Sequence, residues 1–181
     1  DSWASVMLGA DNTHTVDTAG HSIRTDGTPV CLWNGEPSSS LPDSPVEILG
    51  PCAGAGMYRR RLFEDAGLFD GHFFLYGEDV DLAIRARLAG HRSVLVPTAR
   101  VLHAHMGTAG RMRNLSAYYQ YRNNVLYLVK NMPLLWLLRP LPRFALSGIR
   151  PLLKRPWRAE GWMYVLAKLA LPIHLPVALL K

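Results

Sequence analysis

Only two cysteines, Cys31 and Cys52, occur in 181 residues. That is too few for a disulfide framework or a cysteine-built zinc set, and it fits a reducing cytoplasm. Acidic side chains nearly vanish after Met132: residues 133–181 hold 1 acid against 8 Lys+Arg, a net of +7. Residues 1–132 hold 13 acids against 12 Lys+Arg, a net of −1, so the overall charge of +6 belongs to the tail. A clean apolar run of membrane-spanning length is also missing. Pro140, Pro142, Pro151, Pro156, Pro172 and Pro176 interrupt the tail, and its longest candidate, 161–180, contains Lys168 and His174. Two or three short amphipathic helices lying on an anionic membrane surface are expected there. The basic residues sit in Leu-rich text without the Gly, Ser or Asn that accompany nucleic-acid contacts, so nucleic acid is excluded as a partner. There is no internal repeat.

What is present suffices for one core: 49% of residues are apolar, 19% are charged, and the mean hydropathy is +0.03. Residues 2–8 read as a strand. A Gly/Pro/Ser/Asp-rich stretch from Asp11 to Pro45 follows, with short strands at 21–24 and 29–33 and a loop at Pro37–Ser40. Residues 46–49 form a strand, which 53–58 are expected to continue. Arg60–Ala66 reads as a short helix stopped by Gly67. The main helix is expected from Glu78 to Ala89, ended by Gly90, with Val80, Ile84 and Leu88 on a buried stripe and Asp81 paired with Arg85. Strands at 93–96 and 99–103 precede a helix that Asn114 caps and that runs to about Met132. The opening apolar residues predict a piece cut from something longer.

The richest chemistry lies in Phe73-Phe74-Leu75-Tyr76-Gly77-Glu78-Asp79-Val80-Asp81-Leu82. Three acids in four positions repel one another and are costly to desolvate, so folding alone gains little from them. Upstream stand Gly54-Ala55-Gly56-Met57-Tyr58-Arg59-Arg60 and Leu62-Phe63-Glu64-Asp65-Ala66-Gly67. Downstream come Arg85-Ala86-Arg87-Leu88-Ala89-Gly90, Val101-Leu102-His103 and Tyr118-Tyr119-Gln120-Tyr121-Arg122-Asn123. This ordered set resembles glycosyltransferase family two, the inverting GT-A enzymes, and especially its rhamnosyltransferase-like members. The likeness is strongest over residues 46–132.

The resemblance implies an α/β fold: an incomplete GT-A (nucleotide-diphospho-sugar transferase) mixed sheet with flanking helices, followed by a basic amphipathic helical tail. Residues 1–132 would be the C-terminal part of the catalytic domain and 133–181 the membrane-associating tail. Such enzymes hold the nucleotide on βαβ units ending in an Asp-x-Asp metal motif, all expected before the point where this chain starts. It therefore resembles the acceptor side of the enzyme, with donor binding and most of a Mg or Mn site supplied by preceding sequence.

The resemblance places the catalytic base on Asp79, with Glu78 orienting the loop or the acceptor. A carboxylate at a helix start is rigid and can take the proton of an attacking hydroxyl. The plain reading of the same acids is a helix N-terminus stabilised by its dipole. Asp79-Val80-Asp81 as a metal pair is disfavoured, because positions two apart on a helix diverge by about 200°. His103 is expected to complete the metal site, with His105 a weaker candidate, and Met106–Arg111 reads as a flap over the donor. Cys52, Ala53 and Gly54 would line the sugar site, Tyr76 would stack on a sugar, and Arg122 and Asn123 would meet diphosphate, ahead of Arg111 and Arg113. Cys52 has no activating histidine nearby in sequence, which argues against a nucleophilic role. Trp136, Trp157, Trp162 and Tyr164 fit an interfacial belt.

The expected activity is transfer of a sugar, rhamnose by resemblance, from a nucleotide-diphosphate donor to a glycan or lipid-linked acceptor in cell-envelope polysaccharide synthesis. The expected place is the cytoplasm, peripheral at the inner face of the cell membrane. The rival expectation is a non-enzymatic fragment that binds a membrane surface.

Overall fold

A computed structural model describes residues 1–104, 113–147, 149, 153 and 159–179. The chain divides into two compact units. The first comprises Asp1–Arg24, Pro29–Phe69 and Asp79–Gly107; the second comprises Thr25–Thr28, Asp70–Glu78 and Thr108–Lys181.

The first unit is built on a mixed sheet. Strand β1 (Ser2–Gly9) runs parallel to β7 (Ser93–His103), and its other edge is shared. There β6 (Gly56–Tyr58) pairs antiparallel with Ser2–Ala4, and β2 (Val16–Thr18) with Met7 and Leu8. Strand β5 (Val46–Ile48) closes the opposite side, antiparallel to Ser93–Leu95. A separate hairpin joins β3 (His21–Ile23) to β4 (Pro29–Cys31). Alternation along β1 places Ala4, Val6 and Leu8 in one core with Val16, Ala19, Ile48 and Leu95.

Two expectations about strands change. Residues 53–58 are not one strand: Ala53–Ala55 is a 3-10 turn, and only Gly56–Tyr58 is extended. Conversely, 93–96 and 99–103 are a single strand. Its register against β1 slips from Ser5↔Val96 to Val6↔Arg100, so Pro97, Thr98 and Ala99 are skipped. Proline has no N–H for the ladder, so a bulge is the way to retain one strand there.

Helix α1 (Arg60–Ala66) has the expected bounds, and Gly67 ends it at φ 78°, a left-handed turn that a side chain would strain. Helix α2 (Glu78–Leu88) buries Val80, Leu82, Ala83, Ile84 and Ala86. Leu82 and Ala86 pack with Leu62 of α1. Leu88, expected on the buried stripe, is 72% exposed, because the last turn of α2 runs past the core. Asp81 is fully buried and pairs with Arg85 at 2.9 Å, as the spacing predicts. The same guanidinium donates to the carbonyls of Ala66, Gly67 and Leu68, capping α1. Leaving Asp81 without this partner would strand a buried charge.

The second unit centres on α3 (Arg113–Asn131), with α4 (Leu134–Leu137), α5 (Leu141–Leu146) and α6 (Ala159–Leu179). Helices α3 and α6 pack together: Tyr121 meets Tyr164 edge-on at 5.8 Å, and Ala167 is fully buried. Helix α6 is longer than expected and runs through Pro172 and Pro176. Both prolines lie on exposed parts of the helix four residues apart, so their missing N–H groups fall on one side. Among the described residues, no helix is long and apolar enough to cross a membrane.

Candidate functional site

In the first unit three separated segments meet at Asp79. Its carboxylate stands at the second residue of α2, where Val80 N–H donates to Oδ1 at 2.8 Å. Oδ2 takes the N–H of Ala53 at 3.2 Å and meets His21 Nε2 at 2.9 Å. The two side chains are 11% and 9% exposed. Burial pushes the Asp79 carboxyl up, but its bonds to His21, Ala53 and Val80 outweigh that and hold it below its ordinary value. Burial likewise opposes a charged His21, yet hydrogen bonding to Asp79 and to both cysteines raises its pKa. The pair therefore rests as imidazolium and carboxylate.

Backbone contacts set this geometry. The His21 N–H bonds Gly50 O at 2.8 Å, and Leu49 N–H returns to His21 O at 3.2 Å. Gly20, at φ 104°, lets the chain cross so near Gly50 that an added Cβ would lie 2.8 Å from its carbonyl oxygen. Gly50 in turn packs on α2, where a Cβ would sit 2.3 Å from the Ala83 methyl. Beyond Pro51, the turn Ala53–Ala55 presents the Ala53 N–H, and Ala55 N–H bonds back to Cys52 O at 3.0 Å. Donor atoms of His21, Cys52 and Asp79 all lie within 4.8 Å of one another. Cys31 Sγ stands 3.9 Å from the other ring nitrogen, Nδ1. Gly54 sits against Met7, an added Cβ falling 3.4 Å from its methyl.

Glu78, Tyr76, Arg122 and Asn123 belong to the second unit. Phe74 and Tyr76 adopt left-handed φ values of 60° and 65°, followed by Gly77 at 85°, in a loop that ordinary side chains resist. Asn123, fully buried, holds it by donating to the carbonyls of Phe73, Leu75 and Tyr76 at 2.9, 2.7 and 2.6 Å. Arg122 adds bonds to His72 O and Phe73 O at 2.8 Å and lies 4.8 Å over the Tyr119 ring. These donors are spent on backbone, which fixes the loop. Phe73 is core, Phe74 is 65% exposed, and the Tyr76 hydroxyl lies 3.4 Å from Ser116.

His103 ends β7 in the first unit and meets Asp17 Oδ2 through Nδ1 at 2.6 Å. Asp17 also lines an open pocket of about 310 Å³ with Asp11, Asn12, Thr15 and Asn34. The Mg or Mn that the resemblance implies wants several oxygen ligands. His103 and Asp17 offer two donors, and the three-donor cluster among the described residues contains a thiol. These residues do not by themselves make such a site. His105, Met106–Arg111 and Trp157 lie outside the described residues, as does the side chain of Arg113.

Of the residues expected at the site, the structure brings Asp79, Cys52 and Ala53 together. Sequence reasoning missed His21, 31 positions before Cys52 (52 − 21) and 58 before Asp79. The absence of a histidine near Cys52 holds along the chain but not in space. The only sequence signal was a lone histidine opening a short strand after Gly20.

A mixed sheet with flanking helices is compatible with the α/β fold of nucleotide-sugar transferases. No protein-family model matches the chain. Two curated proteins of Mycobacterium tuberculosis (strain CDC 1551 / Oshkosh and strain ATCC 25618 / H37Rv) are each 36% identical to it over 89 residues. Both are named N-acetylglucosaminyl-diphospho-decaprenol L-rhamnosyltransferase. The match takes in 46% of this chain and 29% of each relative, so it spans less than a third of their length. It supports a glycosyltransferase-like relationship.

Proposed function

We propose that this chain is the base-bearing, acceptor-side part of an inverting GT-A glycosyltransferase of family two. The sugar, rhamnose by likeness to the mycobacterial relatives, passes from a nucleotide-diphosphate donor to a glycan or lipid-linked acceptor in cell-envelope polysaccharide synthesis. The observation that carries this reading is the Asp79 carboxylate, nearly buried and held from two sides by His21 and Ala53. As the acceptor oxygen bonds to the anomeric carbon, its proton passes to Asp79 and the bond to the diphosphate breaks, the electron pair leaving with the phosphate oxygen. His21 positions the carboxylate and keeps it charged until the proton arrives. Cys52, Ala53 and Gly54 supply small surfaces beside it, and Arg122 and Asn123 act by fixing the aromatic loop.

The tail is proposed to rest on the cytoplasmic face of the membrane. On α6, Trp162, Leu166, Leu169, Ile173 and Val177 are all exposed. At 100° per residue they fall within a stripe about 80° wide, whose centre lies about 120° round the helix from buried Ala167. With a net +7 over residues 133–181, such a stripe fits an anionic lipid surface.

The test uses the full-length protein. Asp79→Asn is expected to lower kcat by about 100- to 10,000-fold while leaving donor affinity unchanged. Retained transfer, or a parallel loss of donor binding, would remove Asp79 from the role of base.

A further inference from the structure

The proposed chemistry needs a carboxylate at position 79, yet the chain builds an imidazole and a thiol around it. We infer that His21, Cys52 and Asp79 form a binding site for a thiophilic divalent cation of the zinc type. Their donor atoms converge within 4.8 Å from three different segments of one unit. A tetrahedral zinc ion needs ligand atoms about 3.3–3.8 Å apart, given bonds of about 2.0–2.3 Å. Small side-chain rotations would bring the three donors to that spacing, with His21 Nε2 and Asp79 Oδ2 parting from 2.9 Å as the ion replaces the proton between them. The backbone need not move: His21 is held through its N–H by Gly50 O and through its carbonyl by Leu49 N–H, and Cys52 opens a hydrogen-bonded turn. His21 is buried, and Cys52 and Asp79 are half-buried, so the donors are partly stripped of water before any ion arrives.

The ligand set determines the class of ion. A thiolate with an imidazole favours zinc, cobalt or cadmium, whereas magnesium and manganese favour oxygen donors. Three protein ligands leave a fourth position open to water or a substrate oxygen. On binding, the cation takes the place of the proton between His21 and Asp79 and of the Cys52 thiol proton, both passing to solvent. Cys31 is excluded from the set, because it faces Nδ1 while Asp79 faces Nε2, and one ring nitrogen serves one ion.

A consequence follows that rests on the reading of Asp79 as base. A cation on that carboxylate withdraws the proton acceptor, so zinc inhibits transfer and a chelator restores it.

The experiment titrates the full-length protein with cobalt(II) and follows its absorption. One equivalent is expected to give a thiolate-to-cobalt charge-transfer band with visible tetrahedral d–d bands, displaced by zinc and untouched by excess magnesium. Cys52→Ser is expected to lose the charge-transfer band, Cys31→Ser to retain it, and His21→Gln to bind cobalt at least about 10-fold more weakly. Circular dichroism and urea midpoints of each variant separate loss of a ligand from loss of fold. A wild-type protein without the band overturns the site, as does a band that survives in folded Cys52→Ser. Zinc assays of transfer then divide the two readings. Inhibition that disappears from the residual activity of Cys52→Ser supports both, whereas stoichiometric zinc binding without inhibition upholds the site and overturns Asp79 as base.

Discussion

At the scale of single residues, neighbouring groups decide what a side chain does more than its own type does. Asp79 and Asp81 stand two apart on α2, yet one meets a histidine and a backbone amide while the other neutralises a capping arginine. The Asp81–Arg85 pair was legible because i,i+4 spacing is local. The His21–Asp79 pair was not, because nothing local links positions 58 apart. His174 supplies a further case. Its Nδ1 lies 3.2 Å from His72 Nε2, and the Tyr118 hydroxyl lies 3.4 Å from its Nε2. Burial, then the Arg122 guanidinium and then His72, lower its pKa below the ordinary 6.5. Well above that value His174 is neutral in both folded and unfolded chains and has no effect. As the pH falls below it, the unfolded chain takes up the proton first, and stability drops until the folded pKa is passed. Urea midpoints between about pH 7 and pH 5 should decline in the wild type and decline less steeply in His174→Gln. Equal slopes would show that the pair is not linked to folding.

Helices and their stops were readable, because capping glycines and apolar spacing act within one element. Gly67 and Gly90 end α1 and α2 as expected, at φ 78° and 89°. Strands were less readable, since a bulge answers to a partner: β7 stays single only because β1 pairs with it on both sides of Pro97. The same dependence governs the loop before α2, which Asn123 holds in left-handed conformations. Asn123→Ala should cost about 2–4 kcal/mol, because three carbonyls lose a buried donor. Denaturant unfolding measures the loss, and faster amide exchange at residues 73–77 would localise it. Gly50→Ala would drive a methyl into Ala83 and should cost about 1–3 kcal/mol. Combining it with Ala83→Gly should cost less than the sum of the two single changes, since the second removes the clash. Strict additivity would mean that α2 does not press on Gly50.

For the whole molecule, the charge division between residues 1–132 and 133–181 is a property of the text alone. Which tail residues stay outside is not. Helix α6 turns Tyr164 and Ala167 towards α3 and leaves Leu169 and Ile173 70% and 73% exposed. Lys168, one of the tail's cations, bonds the carbonyls of Ala145 and Ser147 instead of facing lipid. The double variant Leu169→Glu, Ile173→Glu should leave stability within about 0.5 kcal/mol per site, since both positions are exposed. It should also abolish co-sedimentation of the full-length protein with vesicles rich in phosphatidylserine, while the wild type pellets. Unchanged pelleting would detach the stripe from membrane binding. By itself the sequence determined α1 and α2, their glycine stops and the acids at the start of α2, because each depends on residues within a turn or two of one another. It did not determine the length of α6 through its prolines, or the start of α3 at Arg113 rather than after an Asn114 cap. Only the tertiary structure decided that a histidine from β3 and a cysteine after β5 would enclose one of those acids. Their meeting requires glycines at 20 and 50 to let two backbones approach, and no short-range pattern encodes that approach.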